Sequence, residues 1–123
     1  MIAYASRTGN VRYIISRLQL PAFEIEALAV VSTPFLLFTY TDGLGEVPSK
    51  VMSFMEMNGN SCLGVIASGN SNFGHHVFGA AGDVIAAQWR IPLIRKIDLR
   101  GYPEDYEVIN RYYEHIFRKE HME

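Results

Sequence analysis

Three short glycine-bearing loops, each following an apolar run, carry the residues best suited to chemistry: Ser6-Arg7-Thr8-Gly9-Asn10, Thr39-Tyr40-Thr41-Asp42-Gly43-Leu44-Gly45 and Ser68-Gly69-Asn70-Ser71-Asn72-Phe73-Gly74. The first offers hydroxyls at Ser6 and Thr8, a permissive Gly9 and the start of a helix, so backbone N–H groups aided by the helix dipole make a phosphate site. An ordinary strand-to-helix turn draws on the same residue types, and this loop alone leaves both readings open. It has no Gly-Lys-Ser/Thr ending, and the dinucleotide pattern G-x-G-x-x-G is absent. The second loop sets Tyr40 beside Gly43 and Gly45, giving a flat heteroaromatic ring a face to stack on and amides that approach its edge. The third adds Asn70 and Asn72, whose amides donate and accept, and Phe73. Each loop has a plain turn as its alternative, but three coinciding at one sheet edge is a less economical explanation than a shared ligand.

Other residues point elsewhere. His75 and His76 are adjacent, so on a helix they diverge and do not share a metal. Cys62 opens an apolar run without the Cys-x5-Arg loop of a phosphatase and reads as packing. His115 and His121 fall in a polar carboxyl-terminal stretch and read as solvated, and Asp83 reads as a surface residue of an apolar-faced helix. A receiver domain needs an acidic pair after its first strand, where this chain has Ser-Arg-Thr.

These loops need elements to hold them. Met1 to Ala5 reads as a buried strand. Asn10 is the expected N-cap of a helix with Val11, Ile14, Ile15 and Leu18 on one face, closed by Pro21. Phe23-Glu24-Ile25-Glu26 alternates as an edge strand does. Phe35 to Phe38 is unbroken and apolar, the pattern of a strand covered on both faces. Pro48 suits a helix's first turn, with Val51, Phe54 and Met55 on its inner face. Cys62 to Ala67 is the next buried strand. Val77, Ala80, Ala81, Val84 and Ile85 keep helical spacing until Pro92 ends it. Leu93 to Leu99 forms the last strand. A final helix opens on Glu104 and Asp105, carries a stripe of Tyr106, Ile109, Tyr113, Ile116 and Phe117, and closes on Arg118 and Lys119, matching the macrodipole.

Strand–loop–helix repeats imply a parallel α/β sheet, and five strands in this length favour the order 2-1-3-4-5, whose ligand crevice lies between strands one and three. Between Glu26 and Phe35 there is no room for a crossover helix. A bare connection there is expected to leave one sheet face thinly covered, a candidate docking surface. The 123 residues suit a single domain spanning 1–123, and 49% hydrophobic and 12% aromatic residues make it globular. No run approaches the length of a membrane span, no signal-peptide pattern opens the chain, and a single cysteine fits a reducing cytoplasm. The formal net charge of -2 leaves no basic patch for nucleic acid.

Ser-x-Thr-Gly-Asn after the first strand resembles the FMN phosphate loop of flavodoxins. Together with Thr39 to Pro48, Ser68 to Gly74 and Pro92 to Gly101, the chain resembles the NrdI family, flavodoxin-like proteins that assist class Ib ribonucleotide reductase. The resemblance spans nearly the whole chain. It implies a flavodoxin-like three-layer sandwich, a single FMN-binding domain with helices on both sheet faces. FMN phosphate would be held by Ser6, Thr8, Gly9, Asn10 and Val11, with Arg7 also among the cofactor-binding residues. Tyr40, Thr41, Gly43 and Leu44 would lie along the isoalloxazine, with Asn70, Asn72, Phe73 and Gly74 on its pyrimidine side and edge; Thr39, Ser68 and Gly69 are also implied to bind the cofactor. No protein acid, base, nucleophile or metal is implied; the chemistry is the cofactor's. The implied partners are a flavin reductase or other electron donor, molecular oxygen, and the dimanganese small subunit of the class Ib reductase. Reduced flavin would give that subunit a superoxide- or peroxide-type oxidant for tyrosyl-radical formation. Arg7 departs from the usual neutral loop, either reinforcing phosphate binding or pointing toward a partner.

The alternatives are an ordinary flavodoxin acting as a one-electron carrier and a flavin-free interaction module. Flavodoxins are typically strongly acidic, which penalises an anionic reduced ring. A unit charge about 10 Å away at an effective dielectric near 20 is worth roughly 1.7 kcal/mol, or about 70 mV, before screening. A net charge of -2 favours easy full reduction and oxygen chemistry. Gly43 is expected beside flavin N5, where glycine permits a peptide flip.

Overall fold

Phe35 to Phe38, fully buried, form the centre of a five-stranded parallel sheet in the order β2-β1-β3-β4-β5. The computed structural model describes residues 1–121, with the side chains of 118–121 outside the description. The elements are β1 (Ile2–Tyr4), α1 (Asn10–Leu18), β2 (Ala22–Glu24), β3 (Phe35–Tyr40), α2 (Ser49–Asn58), β4 (Cys62–Gly69), α3 (Ala80–Trp89), β5 (Leu93–Asp98) and α4 (Pro103–His121). The order is the one the repeat pattern predicts.

Two apolar layers sandwich the sheet. Ile2, Leu36, Phe38 and Ile66 turn toward α1 and α4, meeting Val11, Ile14, Leu18 and Ile109. Phe35, Leu37 and Val65 turn to the other face, against Val51, Phe54 and Met55 of α2 and Ile85 of α3. The expected stripe of α4, from Tyr106 to Phe117, packs on the first of these layers. Its basic closers Arg118 and Lys119 have side chains outside the described residues. Asp105 does more than open that helix. Its Oδ2 accepts the Tyr102 N–H at 2.7 Å and its Oδ1 accepts Arg95 Nε at 2.8 Å, so a carboxylate only 6% exposed is paired on both oxygens.

Several boundaries differ from the periodicity. The N-cap of α1 is Gly9, at φ 94°, and Asn10 is the first helical residue. Pro48 precedes α2 instead of entering its first turn. Val77 lies in the turn ahead of α3, and Val84 faces outward at 42% exposure. β3 and β4 each run two residues further than their apolar cores, taking in Tyr40 and Gly69.

No helix joins β2 to β3, as the short spacing requires. The face is nevertheless covered. Ala29 and Val31 pack onto the α2/α3 layer while Leu28 and Val30 project outward, an alternation that lets an irregular segment act as a half-layer. Asn58, the last residue of α2, pins it. Its Oδ1 accepts the Val31 N–H at 2.7 Å, and its Nδ2 donates to the carbonyls of Ala29 at 2.7 Å and Phe54 at 3.0 Å. A buried amide holding three backbone groups replaces the missing helix's own hydrogen bonding. Asn58→Ala leaves those groups to water or to nothing and is expected to lower unfolding free energy by about 2–3 kcal/mol, measured by urea denaturation.

Candidate functional site

The carboxyl ends of β1, β3 and β4 open onto a cleft of about 370 Å³. Arg7, Thr8 and Asn10 line it from the first loop, Tyr40, Thr41, Asp42 and Gly43 from the second, and Ser68, Gly69, Asn70 and Phe73 from the third. Val77 and Leu99 complete the lining. The three loops singled out by composition therefore share one cavity.

In the first loop the left-handed Gly9 supplies the turn into α1 and no side-chain cap. Ser6, four residues ahead of the helix, takes that role, its Oγ accepting the Arg12 N–H at 3.3 Å. The helical ladder has no carbonyl for the N–H groups of Gly9, Asn10 and Val11, which leaves three successive amides for an anion. The Val11 side chain is buried in the core, so that residue offers only backbone. The Asn10 side-chain Oδ1 accepts from Arg100 Nε at 3.3 Å, and the Arg100 guanidinium lies 4.4 Å from the Tyr13 ring centroid.

Thr39 is still within β3. It is fully buried, and its hydroxyl donates to the Tyr40 carbonyl at 2.8 Å, away from the cleft lining. Beyond it, Asp42 organises a tight turn. Its N–H donates to the Glu46 carbonyl at 2.8 Å, and its own carbonyl accepts from Gly45 at 3.1 Å and Glu46 at 2.7 Å. Its Oδ1 accepts the Gly43 N–H at 3.1 Å. Gly43 has φ 46°, a left-handed conformation that costs an L side chain about 1–2 kcal/mol. Leu44 projects from the tip at 80% exposure and does not line the cleft. Thr41 carries the one anomaly: its Oγ1 is buried with no hydrogen-bond partner among the described residues.

Ser68 and Gly69 close β4, the Ser68 hydroxyl donating to the Leu99 carbonyl at 3.4 Å. A Cβ on Gly69 would stand 2.8 Å from the Gly79 nitrogen, so the approach of the α3 lead-in demands glycine there. Asn70 Oδ1 accepts the Asn72 N–H at 2.9 Å and caps a short 3₁₀ turn. Phe73 stands exposed at the rim, while Asn72 and Gly74 lie outside the lining.

The loop after β5 was not singled out by its composition. Asp98 accepts both the N–H of Ser71, at 3.1 Å, and its hydroxyl, at 2.5 Å, and the Leu99 N–H donates to the Gly69 carbonyl at 2.8 Å. This fourth carboxyl-end loop braces the third. The parallel topology itself was the available signal, since β5 ends at the same edge.

The remaining candidates lie elsewhere. His75 and His76 are exposed in the turn before α3, where a helix had been expected, and His115 is exposed on α4. The His121 side chain lies outside the described residues. Asp83 is an exposed partner of Lys96 Nζ at 2.6 Å. Cys62 is buried in the core, where desolvation pushes its thiol up to about 11. Among the described residues no helix is long and apolar enough to cross a membrane.

Comparison with known proteins agrees with this architecture. The family described as "NrdI Flavodoxin like" matches residues 2–111. The SPbeta prophage-derived protein NrdI of Bacillus subtilis (strain 168) and the phage protein nrdI of Bacillus phage SPbeta are each 37% identical over 113 residues, covering 88% of this chain and 86% of the relative. Among solved structures, a short-chain flavodoxin associated with a bacterial microcompartment superposes with a TM-score of 0.72 at 22% identity, covering 96% of this chain and 95% of the other. Oxidised flavodoxin 2 from Bacillus cereus gives 0.63 at 21% identity, covering 90% and 92%. The chain belongs to the NrdI flavodoxin-like family.

Proposed function

We propose that this protein is an FMN flavoprotein that assists class Ib ribonucleotide reductase. When bound and reduced, FMN supplies electrons to molecular oxygen, and the oxidant produced serves assembly of the dimanganese-tyrosyl radical cofactor in the reductase small subunit. A flavin reductase or another low-potential donor feeds it, in the cytoplasm.

The observation that carries the flavin reading is the buried, unpartnered Thr41 hydroxyl in the lining of a cleft that also holds the Tyr40 ring. A buried hydroxyl without a partner is costly in a folded chain unless a ligand satisfies it. The donor set fits FMN at both ends. The first-loop amides suit a phosphate without needing a cationic side chain. Tyr40, Thr41 and Gly43 suit the ring, and Asn70 suits the polar edge of a pyrimidine, with Phe73 at the rim. Leu44, Asn72 and Gly74 stand outside the lining.

Gly43 is assigned the position beside flavin N5. Its left-handed φ of 46° is a conformation glycine adopts without strain, and glycine tolerates either arrangement of the Gly43–Leu44 peptide, whose carbonyl would turn toward N5 when N5 gains a proton. The choice between oxidant supply and one-electron carriage rests on charge. A net charge of -2 penalises an anionic reduced ring less than a strongly acidic flavodoxin does.

Four outcomes test this. The purified protein is expected to take up FMN and turn yellow. Reduced, and mixed with oxygen and the manganese-loaded small subunit, it is expected to generate tyrosyl radical by electron paramagnetic resonance; a flavin-loaded protein giving no radical favours the carrier reading. Thr41→Val is expected to act with opposite signs: about 1 kcal/mol more stable without flavin, because the orphan hydroxyl is gone, yet binding FMN about tenfold more weakly. Gly43→Val, strained at its φ of 46°, is expected to shift the flavin potentials, read by equilibration with reference dyes.

A further inference from the structure

Arg7 differs from the rest of the first loop because its side chain leaves that loop. Its guanidinium reaches Asp42, with Nη1 3.4 Å from Oδ1, and its Cζ lies 5.7 Å from the centroid of the Tyr40 ring. Both partners belong to the second loop and its strand end. The amides suited to a phosphate are those of Gly9 to Val11, at the start of α1. The Asp42 oxygen that Arg7 approaches also accepts the Gly43 N–H. One carboxylate therefore links the cation to the glycine assigned to the ring.

We infer that Arg7 is a charge-compensating and positioning residue of the ring site, and not a phosphate ligand. The inference rests on the flavin reading. Reduction of FMN by two electrons from a low-potential donor such as dithionite, with one proton taken from water, adds one net negative charge to the ring. A cation among the residues lining the cleft favours that state, and the Asp42 carboxylate opposes it. The pair is 60% and 39% exposed, so it is screened and weakly held. The guanidinium is thus free to exchange its carboxylate partner for the reduced ring while keeping its place over Tyr40. Through Asp42, the same exchange loosens the side-chain hold on Gly43.

At about 10 Å and an effective dielectric near 20, one unit of charge after salt screening amounts to roughly a tenfold change in the ratio of affinities for reduced and oxidised flavin. Arg7→Gln is therefore expected to weaken reduced FMN about tenfold more than oxidised FMN. That tenfold converts to a two-electron midpoint lower by about 30 mV. Asp42→Asn is expected to move the midpoint upward, and Arg7→Lys, which keeps the charge, to hold it near the wild-type value.

The experiment measures dissociation constants for FMN and for riboflavin, and the FMN midpoint by dye equilibration, in the three variants and the wild type; thermal melts establish that each is folded. The inference requires the midpoint shifts in the stated directions and an equal effect of Arg7→Gln on both flavins. If Arg7→Gln weakens FMN but leaves riboflavin unchanged, Arg7 is a phosphate ligand and the inference is wrong. An unmoved midpoint overturns it as well, leaving the flavin reading intact. A wild-type chain that binds neither flavin removes both.

Discussion

The cleft depends on the register of the three central strands. Tyr4 stands beside Phe38 and Tyr40 beside Ser68, so β1, β3 and β4 release the chain close to one edge and their loops converge. Alternation of polar and apolar residues cannot set this register, because the sheet is apolar on both faces and a slipped strand would still bury hydrophobic side chains. Steric fit contributes instead. A Cβ on Gly64 would lie 2.7 Å from Ile94 Cδ1 and 3.5 Å from Leu36 Cδ2, so a one-residue slip that brings Leu63 or Val65 there forces the Ile94 side chain to move. The ladder's irregularities fall early, at Phe35/Leu36 and Val65/Ile66, and the carboxyl halves that carry the loops pair without a break.

A second constraint follows from the short β2–β3 connection. A sheet buried on both sides needs two covering layers, and this chain has a helix too few for the α2/α3 side. The segment of residues 25–34 supplies the cover with Ala29 and Val31, held by Asn58. This arrangement turns one buried side chain into a structural joint. It also explains why an asparagine ends α2 at 3% exposure, where a surface helix would place a solvated residue.

Much of this was legible in the sequence, for identifiable reasons. Unbroken apolar runs bounded by glycine and polar loops marked β3 and β4, and the spacing of Val51, Phe54 and Met55 marked the inner face of α2, because both patterns depend on local periodicity. The loops that meet at the cleft were legible because parallel topology fixes where strand ends go. What was not legible depends on partners distant in sequence. Asn58 binds backbone groups 27 and 29 residues away, and Asp105 pairs with Arg95 from the preceding strand. Asn10 looked like a cap, but a left-handed Gly9 holds that position and Ser6 reaches over it. The unpartnered state of Thr41 is a property of packing, which no residue pattern encodes.

Electrostatics in the cleft is a local matter. The chain carries 11 bases and 13 acids, and some of them pair near the surface, as Arg12–Glu24 and Lys96–Asp83 do. Paired opposite charges present a dipolar field that decays within about a Debye length of 10 Å at ordinary salt. The charged side chains lining the cleft are Arg7 and Asp42. Their fields oppose each other at contact and cease to cancel once the guanidinium moves relative to the carboxylate. Net charge sets the background, and on it the potential that a ring proposed to lie against Tyr40 would feel also depends on where one arginine stands. A protein built this way can alter the ease of reduction by moving a side chain, without changing its overall charge.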